Sequence, residues 1–211
     1  MDSPALPEGG TTFAVRFPEN GANLSAATAR DARLEIAVDA SLLPSVEVSL
    51  DGARSRPIAI LPDPPKLSDL GELAAGDHYL IATLRSAPNL PARHAVVRFG
   101  VGTEPSKHPL VFCNRPEGTV YAAPGAKLLL DFVTDGFRPG EDGSVRVQIK
   151  EARTGKLRFE SLLSTSIPRE FTLPGSDDFA VELALLDPRG LALNGEFARD
   201  RCEVTRNEVA P

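Results

Sequence analysis

The side chains with the most chemical potential in this chain are three histidines, two cysteines and one acidic loop. His78 follows Asp77 directly, an imidazole beside a carboxylate, which is the minimal pairing of a general base with an orienting acid. A hydrolase would also need a nucleophile on a sharp turn, and no Gly-x-Ser-x-Gly elbow accompanies His78, His94 or His108. The competing reading of His78 is a structural role at the start of its apolar strand. No Cys-x-x-Cys or closely spaced histidine pair suggests a metal centre. Asp135-Gly136-Phe137-Arg138-Pro139-Gly140-Glu141-Asp142-Gly143 is rich in carboxylates, yet it lacks the alternating oxygen spacing of a calcium loop. The expectation is a chain with no catalytic residue, no metal site and no cofactor.

Cys113 and Cys202 are read in the first and last strands of the second half. Two such strands can lie side by side at one sheet edge, where a disulfide would close a long loop and mark an oxidising compartment. The alternative is a pair of half-buried thiols. Phe137 and Arg138 are the residue types enriched at interface hot spots, and their loop is the first candidate for partner binding. Phe137 either stands at the loop tip or folds back beneath the sheet. Tyr79 is out of phase with Leu80, Ala82 and Leu84, so it is placed on the outer face of its strand as a second candidate contact. With Tyr121 it would be the aromatic surface of a carbohydrate-binding alternative, which is thin in a chain without tryptophan.

The elements that must position these residues are strands. The 19 prolines and 17 glycines of the 211 residues fall between short apolar runs, a pattern of many turns joining many strands. Residues 12–17, 32–38 and 46–50 alternate between apolar and polar, and Asp51-Gly52 after the third is a type I′ hairpin signal with Ile58-Ala59-Ile60 as the return strand. Leu70–Leu73, 78–84 and 94–101 complete the first half. The second half runs through 110–113, 128–133, 145–149, 157–159, 170–173, 179–185 and 201–204. Residues 24–32 are the one stretch with room for a helical turn.

The halves echo one another about a hundred residues apart. His78-Tyr79-Leu80-Ile81-Ala82-Thr83-Leu84 answers to Phe179-Ala180-Val181-Glu182-Leu183-Ala184-Leu185, and Val46-Glu47-Val48-Ser49-Leu50 to Val145-Arg146-Val147-Gln148-Ile149. The expected fold class is all-β, as two tandem immunoglobulin-like antiparallel β-sandwiches over residues 10–103 and 108–207. A flexible segment (1–9), a linker (104–107) and a tail (208–211) account for the rest. The run Leu73-Ala74-Ala75-Gly76-Asp77-His78-Tyr79-Leu80 is similar to the L-x-x-G-x-H-x-L that introduces a late strand in many bacterial domains of this kind. On that run and the strand pattern, the chain resembles bacterial immunoglobulin-like and fibronectin type III-like domains. Asn114-Arg115-Pro116-Glu117-Gly118 followed by Leu128-Leu129-Leu130-Asp131-Phe132 resembles uncharacterised bacterial envelope lipoproteins.

The formal charge is -6, and both halves are acidic, which argues against nucleic acid as a partner. No stretch reaches the roughly 20 apolar residues of a membrane helix. The first ten residues have neither the basic start nor the apolar core of a signal peptide, and read as a linker downstream of a removed signal or lipid-anchor segment. The resulting expectation is a non-enzymatic interaction or structural module of the bacterial envelope. It would be periplasmic or at the cell surface, and would hold a protein partner through a sheet edge, a loop or the groove between domains.

Overall fold

The computed structural model describes residues 13–53, 55–85, 92–115, 119–120, 127–172 and 178–206. The expected segments 1–9 and 208–211, and Tyr121, lie outside them. The chain is all-β, with a single short α-helix among the described residues, and it divides into two compact units, Met1–Pro105 and Ser106–Pro211.

In the first unit, β1 (Ala14–Phe17) pairs antiparallel with β3 (Glu35–Ala37). A five-stranded sheet is built from β2 (Ala22–Leu24), β4 (Val46–Leu50), β5 (Arg56–Pro57), β6 (Gly76–Leu84) and β7 (Arg93–Val101) in the order β2-β7-β6-β4-β5. Its pairs are antiparallel except β2 with β7. Alternation sends Val46, Val48, Leu50, Leu80, Ala82 and Leu84 into one core with Phe99 and Leu67. Helix α1 (Ala26–Asp31) is capped by Ser25, whose Oγ accepts from the Thr28 N–H at 3.0 Å, and it buries Ala29 against that core.

Two expected strands are absent here. Asp51 and Gly52 do turn with positive φ at both residues (51° and 74°), as a type I′ turn requires. The return strand, however, is Arg56–Pro57, and Ile58–Ile60 forms a 3-10 turn. Pro57 has no N–H to extend the ladder, so pairing stops there. Leu70–Leu73 is likewise not a strand. The 3-10 turn Leu67–Asp69 precedes it, closed by the Asp69 carboxylate accepting from the Lys66 N–H at 2.7 Å, and Leu67 and Leu70 plug the core from that turn.

The second unit has two facing sheets. β8 (Leu110–Arg115), β10 (Lys127–Asp135) and β13 (Arg169–Thr172) form the antiparallel order β13-β10-β8. β9 (Thr119–Val120), β11 (Ser144–Glu151), β12 (Leu157–Leu163), β14 (Phe179–Leu186) and β15 (Arg199–Arg206) form β12-β11-β14-β15-β9, antiparallel except β9 with β15. Val111, Leu128, Leu130 and Phe132 from one sheet meet Val145, Val147, Ile149, Val181, Leu183 and Leu185 from the other. Each such side chain contributes on the order of 1.5–3 kcal/mol by leaving water. Strand for strand, the order of this five-stranded sheet follows that of the first unit, down to the parallel pairing of the last strand with an early one.

Cys113 and Cys202 are joined by a disulfide, with their Cα atoms 6.5 Å apart. The bridge differs from the expectation in one respect: β8 and β15 belong to different sheets, so it staples the two layers together rather than closing one sheet edge. A second tie runs beside it. Asp200 accepts the Cys113 N–H at 2.6 Å and its own neighbour's N–H, that of Arg201, at 2.8 Å. Burial pushes the Asp200 carboxyl up, against those two donors.

Candidate functional site

His78 is held in a way that removes it from acid–base work. Its Nδ1 lies 2.6 Å from Asp51 Oδ2 and its Nε2 2.8 Å from the carbonyl oxygen of Ala74. A carbonyl and a carboxylate only accept, so both ring nitrogens must donate and the ring is an imidazolium. The hydrogen bond that His78 donates to the Asp51 carboxylate raises its pKa, opposed by burial and assisted by the Ala74 carbonyl. The ring stacks on Phe99 with centroids 5.4 Å apart. The orienting acid is thus Asp51, on the β4–β5 turn, rather than the adjacent Asp77. Asp51 also accepts the Tyr79 N–H at 2.8 Å and donates its own N–H to the Tyr79 carbonyl at 3.0 Å. This arrangement fastens a turn to β6 and leaves no lone pair to take a proton from a substrate.

The expected contact residues fare differently. Phe137 is 5% exposed and sits in the second core, so it folds back beneath the sheet and is not presented at the loop tip. The reason lies in the backbone: Gly136 takes a positive φ of 65°, and the Arg138 N–H donates to Asp142 at 2.8 Å, curling the loop over its own aromatic. Arg138 does stand in solvent, but its guanidinium pairs with Glu141 at 2.5 Å and with Asp142 at 3.3 Å. Tyr79 lies on the face opposite the core, as its phase requires, yet is only 5% exposed. Its hydroxyl is 2.9 Å from where a Cβ on Gly52 would stand, so the turn needs glycine there both for φ and for space. As a platform for sugar rings Tyr79 is therefore closed, and Tyr121 lies outside the described residues.

The surface left open is one that local pattern does not single out, the β12 border of the second unit. Among the described residues β12 pairs with β11 alone and has no strand on its other edge. Leu162 is 60% exposed, and Ile167, just beyond the strand, 65%; Leu157 at its start is exposed as well. The charged side chains along it are already engaged. Arg158 pairs with Glu151, and Glu160 accepts from Gln148 on the neighbouring strand. The corresponding border of the first unit, β5, is two residues long and ends on Pro57.

Comparison with known proteins adds little. No protein-family model matches the chain, and no curated protein matches it. Among solved structures it is similar to the fibronectin(III)-like modules of Clostridium thermocellum CbhA, at 15% sequence identity over 92% of this chain and 94% of that one, with a TM-score of 0.33.

Proposed function

We propose that the chain is a non-enzymatic interaction module of the bacterial cell envelope, built as two tandem immunoglobulin-like β-sandwiches. It holds a protein partner by adding an extended segment of that partner along β12. One observation carries the reading, the contrast between the two borders. Natural sheets blunt their edges with short strands, prolines and free charges. β5 uses the first two devices, whereas β12 runs seven residues with exposed leucines and with its charges tied to neighbouring side chains. Such an edge offers backbone hydrogen bonds for affinity and alternate side chains for selectivity. The Cys113–Cys202 bridge supports an oxidising, extracytoplasmic home. The fully bonded imidazolium of His78 supports a role without catalysis.

The test places a photo-crosslinking residue at Leu162 and, as control, at the exposed Leu191, in the full chain mixed with envelope extract. The expected result is one protein captured from position 162 and not from 191. Once purified, that protein should slow amide exchange in 157–163, and Ser161→Pro should abolish the protection. Equal capture at both positions, or exchange in β12 that the captured protein leaves unchanged, overturns the reading.

A further inference from the structure

The outer face of the β12-β11-β14-β15-β9 sheet carries a second feature. Val145, Val147 and Ile149 of β11, and Val181, Leu183 and Leu185 of β14, face the core, which turns Arg146, Gln148, Lys150, Glu182 and Ala184 outward. On β15, Cys202 and Val204 face inward and Arg199 and Arg201 outward. Register then puts Arg146, Ala184 and Arg199 in one row across three strands. With strands about 4.8 Å apart, the two arginine Cα atoms stand about 10 Å from each other over an alanine floor. Leu162 on β12 closes the row on the Arg146 side. A shallow trough of about 510 Å³ lies over this row and the next.

The charges of the trough are unevenly satisfied. Glu182 is shared by Lys150 at 2.5 Å and Arg201 at 3.8 Å, and Arg201 reaches Glu203 at 3.1 Å as well. The Asp200 carboxylate sits at a core-facing position, on the Cys113 N–H. Neither Arg146 nor Arg199 has an ion-pair partner among the described residues. Two unpaired guanidinium groups therefore flank a small residue on a chain whose net charge is -6. Sheet register fixes their spacing, whereas a pair on loops would be held only loosely.

We propose that this trough is a binding site for a tetrahedral oxyanion group, a sulfate or phosphate monoester, held between Arg146 and Arg199 over Ala184. Each guanidinium is a planar fork that matches two oxygens. A tetrahedral group offers a separate pair of oxygens to each side, which a single planar carboxylate cannot do. The site lies on the face of the sheet and does not depend on docking at the β12 edge.

The experiment is calorimetric titration of the full chain at constant ionic strength, with inorganic sulfate, inorganic phosphate, a sulfated disaccharide and a sugar phosphate. The expected result is saturable one-to-one binding of sulfate and phosphate. Arg146→Gln and Arg199→Gln should each weaken it about tenfold, with the double variant silent, because each removes one charged fork. Arg189→Gln, on an exposed turn outside the trough, should leave binding unchanged. Arg146→Lys and Arg199→Lys keep the charge and lose the fork, so each should weaken binding about threefold or more; this pair decides the matter if a glutamine variant does not fold. Tighter binding of the sulfated disaccharide than of the sugar phosphate assigns the source as a sulfated glycan, and the reverse order a phosphate ester. Absence of saturable binding for all four probes, or equal binding by the wild type and both lysine variants, overturns the proposal.

Discussion

Reduction of the Cys113–Cys202 bridge should lower the stability of the second unit by an amount the sequence separation sets. The closed loop spans 89 residues. In the chain-entropy treatment a loop of that size restrains the unfolded chain by about 4.6 kcal/mol at 25 °C. The native contacts beside the bridge should survive reduction, since the Asp200 carboxylate accepts the Cys113 N–H across the two sheets independently of the sulfurs. The loss therefore falls on the unfolded side of the equilibrium. With an unfolding entropy of about 2.1 cal/mol/K per residue, a unit of roughly a hundred residues should melt about 20 °C lower once reduced. The assay is scanning calorimetry with and without reductant, with alkylation and intact mass proving that two thiols have been freed. A Cys113→Ala/Cys202→Ala chain should match the reduced protein. A fall of less than about 5 °C with both thiols alkylated would refute the loop-entropy argument, because it corresponds to only about 1 kcal/mol.

Two further outcomes follow from the geometry. His78→Leu should destabilise the first unit in acid by about 1.5–3 kcal/mol, the range for hydrogen bonds to charged groups. Because the folded state raises the His78 pKa, that contribution is complete below its unfolded value near 6.5 and fades as pH rises through the folded one. Urea denaturation of wild type and variant should accordingly differ most at acid pH, and a gap that widens toward alkaline pH would contradict the imidazolium assignment. Gly143→Ala should be far more damaging than Gly155→Ala. A Cβ at Gly143 runs into the Leu186 carbonyl oxygen at a φ of 145°, whereas Gly155, at 69°, has open space around it and should cost only about 1–2 kcal/mol for its left-handed backbone. Chemical denaturation of the two variants ranks them directly, and equal losses would count against the close approach at Gly143.

Strands were the legible part of this chain because alternation is a local signal. Val46, Val48 and Leu50, or Val145, Val147 and Ile149, carry their own evidence of which side is buried. Alternation and fold part company where one residue overrides the pattern. Pro57 stopped a ladder that Ile58–Ile60 would otherwise have extended, and Asp69 closed a turn just before the apolar Leu70–Leu73. Tyr79 takes the outer face that its phase indicates and is nevertheless buried, since phase says which face a side chain takes and nothing about what covers that face. A glycine-rich loop can present or bury its aromatic, so the sequence leaves both placements of Phe137 open, and the structure takes the buried one, with the loop held by the Arg138–Asp142 contact. The arginine row was illegible. Arg146, Ala184 and Arg199 come from three distant strands, and only strand register makes them neighbours.

The parallel pairing of β2 with β7 also decides how the first unit bears load. When a chain is pulled from its two ends, an early and a late strand that run in the same direction are dragged past each other along their length. Their hydrogen bonds then resist together instead of opening one after another. In the second unit the Cys113–Cys202 bridge acts instead as a hard stop, because tension passes through the sulfurs and bypasses the intervening chain, β9 included. At about 3.3–3.6 Å per extended residue, the 89 residues it spans amount to roughly 300 Å of length that force cannot draw out while the bridge is intact. Under tension the oxidised second unit is a short tether, and reduction turns it into a long one.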